Sequence, residues 1–172
     1  MSGYVGKSLW INLSTGEVQQ KKVIPEQVFP YVGGRGIGIK LLYDMTAAGI
    51  DPLSPENPLI VATGPYTGTG AFSAMFNVTT KSPLTGIAAS SHCGGHWGPK
   101  LKKAGFDYLI ITGVAKRPCY LIIDEGTVAI KDAQEIWGQG VFGTEEFVRR
   151  QEGDVEVLCI AKREKTWFVL PR

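Results

Sequence analysis

The chain has 172 residues, 44% hydrophobic and 20% charged, with a formal net charge of +2. That length suits one domain able to bury about two-thirds of the surface its unfolded form exposes, and the balance excludes a disordered chain, a nucleic-acid-binding stripe and a polybasic membrane patch. No run reaches the roughly 18 apolar residues of a membrane span, and the scattered Cys93, Cys119 and Cys159 suit free thiols in a reducing compartment, so a cytoplasmic location is expected.

Alternation from Val5 to Val23, broken at Ser14-Thr15-Gly16, predicts an opening hairpin. Pro25 allows a short helical turn, which Pro30 and Gly33-Gly34 interrupt. Ile37, Ile39, Leu41, Leu42 and Met45 fall mostly on one helical face, so a helix is expected from Ile37 to Ala47. "LIVATG" at 59–64 reads as a buried strand, "MFNVTTKS" and "IAASSH" as two more, and a helix follows from Trp97 to Ala104. The chain continues with a strand at "YLIITG", a hairpin around Asp124-Glu125-Gly126, a helix near Thr144 to Arg150 and a strand at "VEVLCI". Hairpins mixed with short helices predict an α+β fold with mostly antiparallel or mixed sheets. Both halves run hairpin, helix, strand, although no sequence repeat is visible.

Three stretches invite chemistry. Both histidines and one cysteine fall in "SSHCGGHWGPKLKK". Cys93 and His96 make only half of a zinc site, and a Cys/His nucleophile pair requires a fold-held geometry that adjacency does not supply. Gly94 and Gly95 would let backbone approach an anion, with a helix start and Lys100, Lys102 and Lys103 nearby. Equally, the glycines could serve only a turn, with His92 and His96 closing a strand end. "GGRGIG" at 33–38 is not in the register of a dinucleotide fingerprint, so its glycines are assigned to a turn and close helix packing and Arg35 is left as an exposed cation. "ATGPYTGTGAFSAMFNVTTKSPLTG" lacks phosphate-loop spacing but could lie against a ligand.

Taken in order, "INLSTGEV", "VGGRGIGIKLLYD", "DPLSPENPLIVATGPYTGTGA", "NVTTKSPLTG", "SHCGGHWGPKLKKAGFDYLIITGVAKRPCYL" and "IWGQG" resemble the N-terminal domain of the tungsten-containing aldehyde:ferredoxin oxidoreductase family, which includes a benzoyl-CoA reductase branch. The resemblance covers about residues 3–160. It implies a single domain of two related α+β repeats beneath a tungsten or molybdenum bis-pterin cofactor, with magnesium linking the two phosphates. It further implies that Met75, Asn77, His92, Cys93, Gly94 and Gly95 lie in the cofactor-binding loops, His92 touching the pterin or the magnesium. By the resemblance, aldehyde-oxidising members usually carry arginine at the position of Met75 and asparagine at that of His92, and a thioether cannot replace a guanidinium on phosphate. That departure favours another branch of the family.

The family's [4Fe–4S] cluster needs a C-x-x-C-x-x-x-C run and a fourth cysteine, and this sequence has neither. The expected division is therefore a family-like domain at 1–160 and an atypical tail at 161–172, "AKREKTWFVLPR", either a frameshift product or a solvated basic terminus. By resemblance the partners are the remaining domains or a C-terminal subunit, and ferredoxin or another electron carrier; nucleic acid is not among them, and a homo-oligomer stays open. Three functions follow: a domain inactive without the rest of its enzyme, a subunit completed by a separately encoded part, or a non-catalytic module binding an anion or pterin.

Overall fold

The computed structural model describes residues 3–70 and 74–160, and the backbone of residues 167–171. It divides into two compact units, residues 1–114 and 115–172.

The first unit opens with the expected hairpin, β1 (Lys7–Asn12) and β2 (Glu17–Lys22), followed by a short helix α1 (Pro25–Val28) that begins at its proline. Helix α2 spans Arg35–Met45, starting two residues before the predicted Ile37 because the glycine-rich motif itself forms the first turn. Strand β3 (Leu59–Thr63), the hairpin of β4 (Phe76–Lys81) and β5 (Ala88–Cys93), helix α3 (Trp97–Lys103) and strand β6 (Tyr108–Thr112) complete the unit. The six strands form one mixed sheet ordered β2-β1-β6-β3-β4-β5, in which only β1 and β6 are parallel.

The two faces follow from alternation along each strand. Ile60 and Ala62 of β3 and Tyr108 and Ile110 of β6 face α2, burying Ile37 and Leu42 against them. The intervening residues Val61, Leu109 and Ile111 are also buried, so β3 and β6 read as nearly continuous apolar runs. On β4 the same alternation puts buried Phe76 against Trp97 of α3, ring centroids 4.9 Å apart, and turns Asn77 and Thr79 toward α2. Each fully buried large apolar side chain contributes roughly 1.5–3 kcal/mol.

In the second unit, β7 (Cys119–Asp124) and β8 (Thr127–Asp132) form the second predicted hairpin, followed by α4 (Val141–Glu152) and β9 (Val155–Leu158). Helix α4 is longer at both ends than the stretch from Thr144 to Arg150. Strand β10 (Trp167–Pro171) pairs parallel with β7 and antiparallel with β9, giving the order β8-β7-β10-β9. This strand lies within the predicted atypical tail; residues 161–166 and 172 of that tail lie outside the described residues. The order duplicates β2-β1-β6-β3 of the first sheet, with the same pattern of parallel and antiparallel neighbours. The fold is thus α+β with mixed sheets, and its two hairpin, helix, strand repeats share a topology. In the first unit, β4, β5 and α3 are inserted between the third and fourth strands of the repeat.

Candidate functional site

The insertion builds the site. Antiparallel pairing of β4 with β5 sets Asn77 opposite His92 and Thr79 opposite Ser90, placing four polar side chains on one face. Helix α2 packs over that face. Gly38 makes the approach possible, since a Cβ there would stand 2.4 Å from Thr79 Oγ1. At Gly33, with φ of 157°, a Cβ would stand 2.8 Å from the Thr63 carbonyl oxygen, so the chain before α2 lies directly on the end of β3. Both glycines serve close packing, as the sequence suggested.

The polar face is wired in one direction. Thr79 Oγ1 donates to Asn77 Oδ1 at 2.6 Å, which leaves the Asn77 amide nitrogen to donate to Ser90 Oγ and the Ser91 carbonyl, each at 2.8 Å. Arg35 Nε donates to the same Ser90 hydroxyl oxygen at 3.1 Å, and Arg35 Nη2 lies 3.2 Å from His92 Nδ1. Asn77 and Thr79 are buried, whereas Arg35 and His92 are exposed. A buried, fully bonded floor therefore holds two exposed basic side chains in fixed positions.

Above this floor lies an open groove of about 410 Å³ lined by residues 32–36, 64–67, Met75, Phe76, Asn77 and His92. Thr67 shapes one wall: its hydroxyl donates to the Met75 carbonyl and accepts from the Gly64 N–H, both at 3.0 Å. Guanidinium, imidazole and backbone edges suit an anionic, oxygen-rich ligand, and among the described residues no carboxylate lines the groove. Among the described residues no cluster of three or more His, Cys, Asp or Glu could hold a metal ion.

Of the residues singled out by the sequence, the structure brings Met75, Asn77 and His92 to the groove. Cys93, Gly94 and Gly95 are outside its lining and exposed. The reason is the pleat: His92 faces α2, so its neighbour Cys93 points to the other side of the sheet, and the glycines follow after the strand has ended. Lys102 of α3 is committed within the unit. Its Nζ donates to the Gly3 carbonyl and, at 3.0 Å, to Asp107 Oδ1, and His96 precedes α3 without a side-chain cap. Arg35, left without a role by the sequence, proves to be the basic group nearest His92; its signal was the position of an arginine among glycines at a helix start.

The model of the family described as "Aldehyde ferredoxin oxidoreductase, N-terminal domain" matches residues 8–164. The chain belongs to this family. It is 41% identical over 158 residues to the tungsten-containing aldehyde ferredoxin oxidoreductase of Pyrococcus furiosus and 44% identical over 158 residues to that of Pyrococcus horikoshii. In each case 91% of this chain is matched to 26% of the relative. The aliphatic sulfonate oxidoreductase, WOR-like subunit, of Pyrococcus furiosus is 36% identical over 144 residues, covering 81% of this chain and 23% of that one. Among solved structures, the active site complex BamBC of benzoyl coenzyme A reductase, in complex with 1,5-dienoyl-CoA, matches with a TM-score of 0.90 and 34% identity. That match covers 93% of this chain and 25% of the other. The chain thus spans about a quarter of the length of the relatives it matches. Among the described residues, no helix is long and apolar enough to cross a membrane.

Proposed function

We propose that this aldehyde ferredoxin oxidoreductase-type domain binds the phosphate end of a tungsten or molybdenum bis-pterin cofactor in the groove between α2 and the β4–β5 hairpin. The observation that carries this reading is the fixed pair of basic side chains, Arg35 and His92, in a groove whose described lining holds no carboxylate. The donor set fits phosphate. With no described cluster of metal-ligating side chains, the metal itself would be held by the pterins, and its redox chemistry is what the bound group supplies. The protein's share is to bind and orient: Asn77 and Ser90 fix the basic pair, while the glycine-lined wall allows backbone to approach the ligand. Magnesium between the phosphates belongs to the same reading. An iron–sulfur cluster needs four thiolates, and with three cysteines this chain would leave it to another segment or subunit.

Val32, Tyr66 and Met75, 58%, 77% and 53% exposed, rim the groove with apolar surface. Such a rim supports a site closed by further polypeptide, either the enzyme's remaining domains or a C-terminal subunit, and a domain inactive alone. The activity of the whole would be an oxidoreduction of an aldehyde or related substrate coupled to ferredoxin or a similar carrier.

Anaerobic purification of the native protein with whatever accompanies it tests the reading. Elemental analysis should find tungsten or molybdenum, and acid oxidation should release a fluorescent pterin. Finding neither would overturn it, and pterin without metal would favour the non-catalytic module.

A further inference from the structure

We infer that Arg35 is the anchoring residue for the anionic ligand and that its contact with His92 makes that histidine a hydrogen-bond donor to phosphate instead of a ligand for a divalent cation. The inference rests on the reading of the groove as a phosphate site, and adds to it a residue and a chemical role.

A guanidinium has only N–H donors, so across the 3.2 Å contact with Arg35 Nη2 the acceptor must be the lone pair of His92 Nδ1. The neutral imidazole then carries its proton on Nε2, and Nε2–H is left to point away from the arginine. A divalent cation would need a lone pair at Nε2, on a ring already facing a full positive charge; an oxyanion needs the N–H that is there. The arginine is equally committed. Its Nε and one Nη2 hydrogen are tied to Ser90 and His92, while the other N–H groups remain as a planar donor edge. Among the described residues Arg35 forms no ion pair with a carboxylate, so its charge is not neutralised within the unit. The tether through Ser90 continues to the buried Asn77 and Thr79, which removes much of the side-chain entropy that an exposed arginine would lose on binding. Guanidinium edge and imidazole N–H together make two charge-assisted or polar donors for one tetrahedral oxyanion, the phosphate class.

Inorganic pyrophosphate is the probe, titrated calorimetrically into the 172-residue chain and its Arg35→Lys, Arg35→Ala and His92→Gln variants. Arg35→Ala should weaken binding roughly ten- to a hundredfold and Arg35→Lys by less, with melting temperatures close to wild type because Arg35 is exposed. Nitrogen NMR of the histidine rings, assigned with His92→Gln, should show His92 as the Nε2–H tautomer in wild type and a mixture in Arg35→Ala. Manganese(II), as a paramagnetic probe, should leave the His92 ring signals sharp. Equal pyrophosphate affinity in Arg35→Ala, no binding to wild type, or selective broadening of His92 by manganese would each overturn the inference. Failure here with pterin present in the native protein condemns the role of Arg35 alone; Arg35-dependent binding without any native pterin condemns the cofactor reading alone.

Discussion

At Asn77, one side chain decides the polar order of the groove floor. Its buried amide donates twice to β5 and accepts once from Thr79, all at 2.6–2.8 Å. Asn77→Ala leaves the Thr79 hydroxyl and the Ser91 carbonyl without those partners, and should cost about 1–3 kcal/mol in chemical denaturation. Asn77→Asp should cost at least as much, since a carboxylate cannot donate to the Ser91 carbonyl. Met75 makes the converse case. Its exposed side chain lines the groove, so Met75→Arg should raise pyrophosphate affinity roughly tenfold in calorimetry by adding one charge-assisted contact. Unchanged affinity would remove that position from the site. Asn77, Met75 and His92 were legible through family resemblance alone, because composition and spacing say nothing about which side of a strand a histidine faces. The position of Cys93, Gly94 and Gly95 outside the groove lining has the same origin. Adjacency in sequence puts them beside His92, and the two-residue period of the strand takes them away.

Between elements, contact distances set the tolerance to change. Gly38→Ala would drive a Cβ to 2.4 Å from Thr79 Oγ1, a group pinned by its bond to Asn77. The helix must lift from β4, so the substitution should lower stability by about 1–3 kcal/mol despite the better helix propensity of alanine. Asp107 ties the start of the chain to the sheet: its carboxylate accepts from the Val5 and Gly6 N–H groups at 3.0 and 2.7 Å and from Lys102. With both charged partners largely buried, Asp107→Ala should cost about 3–5 kcal/mol, read from the denaturation midpoint. In the second unit, Glu152 on α4 accepts from Tyr120 on β7 at 2.5 Å and from Lys131 on β8 at 2.7 Å. Burial opposes ionisation of Glu152, but the hydrogen bonds from Lys131 and Tyr120 together with the lysine's charge outweigh it and hold the carboxyl below its ordinary value. A depressed carboxyl stabilises the fold above its unfolded value and loses that contribution as pH falls through the folded one. Wild type should therefore lose stability relative to Glu152→Gln on going from about pH 6 to about pH 3; parallel profiles would dismiss the contribution. Most elements were legible because their apolar periods are strong, as in β3 and β6. Strand β10 was not, because the pairing that makes it a strand is with β7 and β9, and β7 is distant in sequence.

For the molecule as a whole, duplication and insertion account for where function sits. The four-strand plan occurs in each unit, and the candidate site lies only where β4 and β5 extend it. The topology recurs, but the inserted elements and their polar face have no counterpart in the second unit. A groove with an exposed apolar rim, on a chain matching about a quarter of its relatives' length, supports a function exercised in a larger assembly. The most direct test of the central claim is a crystal structure of the natively purified assembly, with the heavy metal located by its anomalous signal. We expect a pterin phosphate within hydrogen-bond distance of Arg35 and His92, over the Asn77 floor. A cofactor whose phosphates rest elsewhere, leaving this groove to solvent, would contradict it.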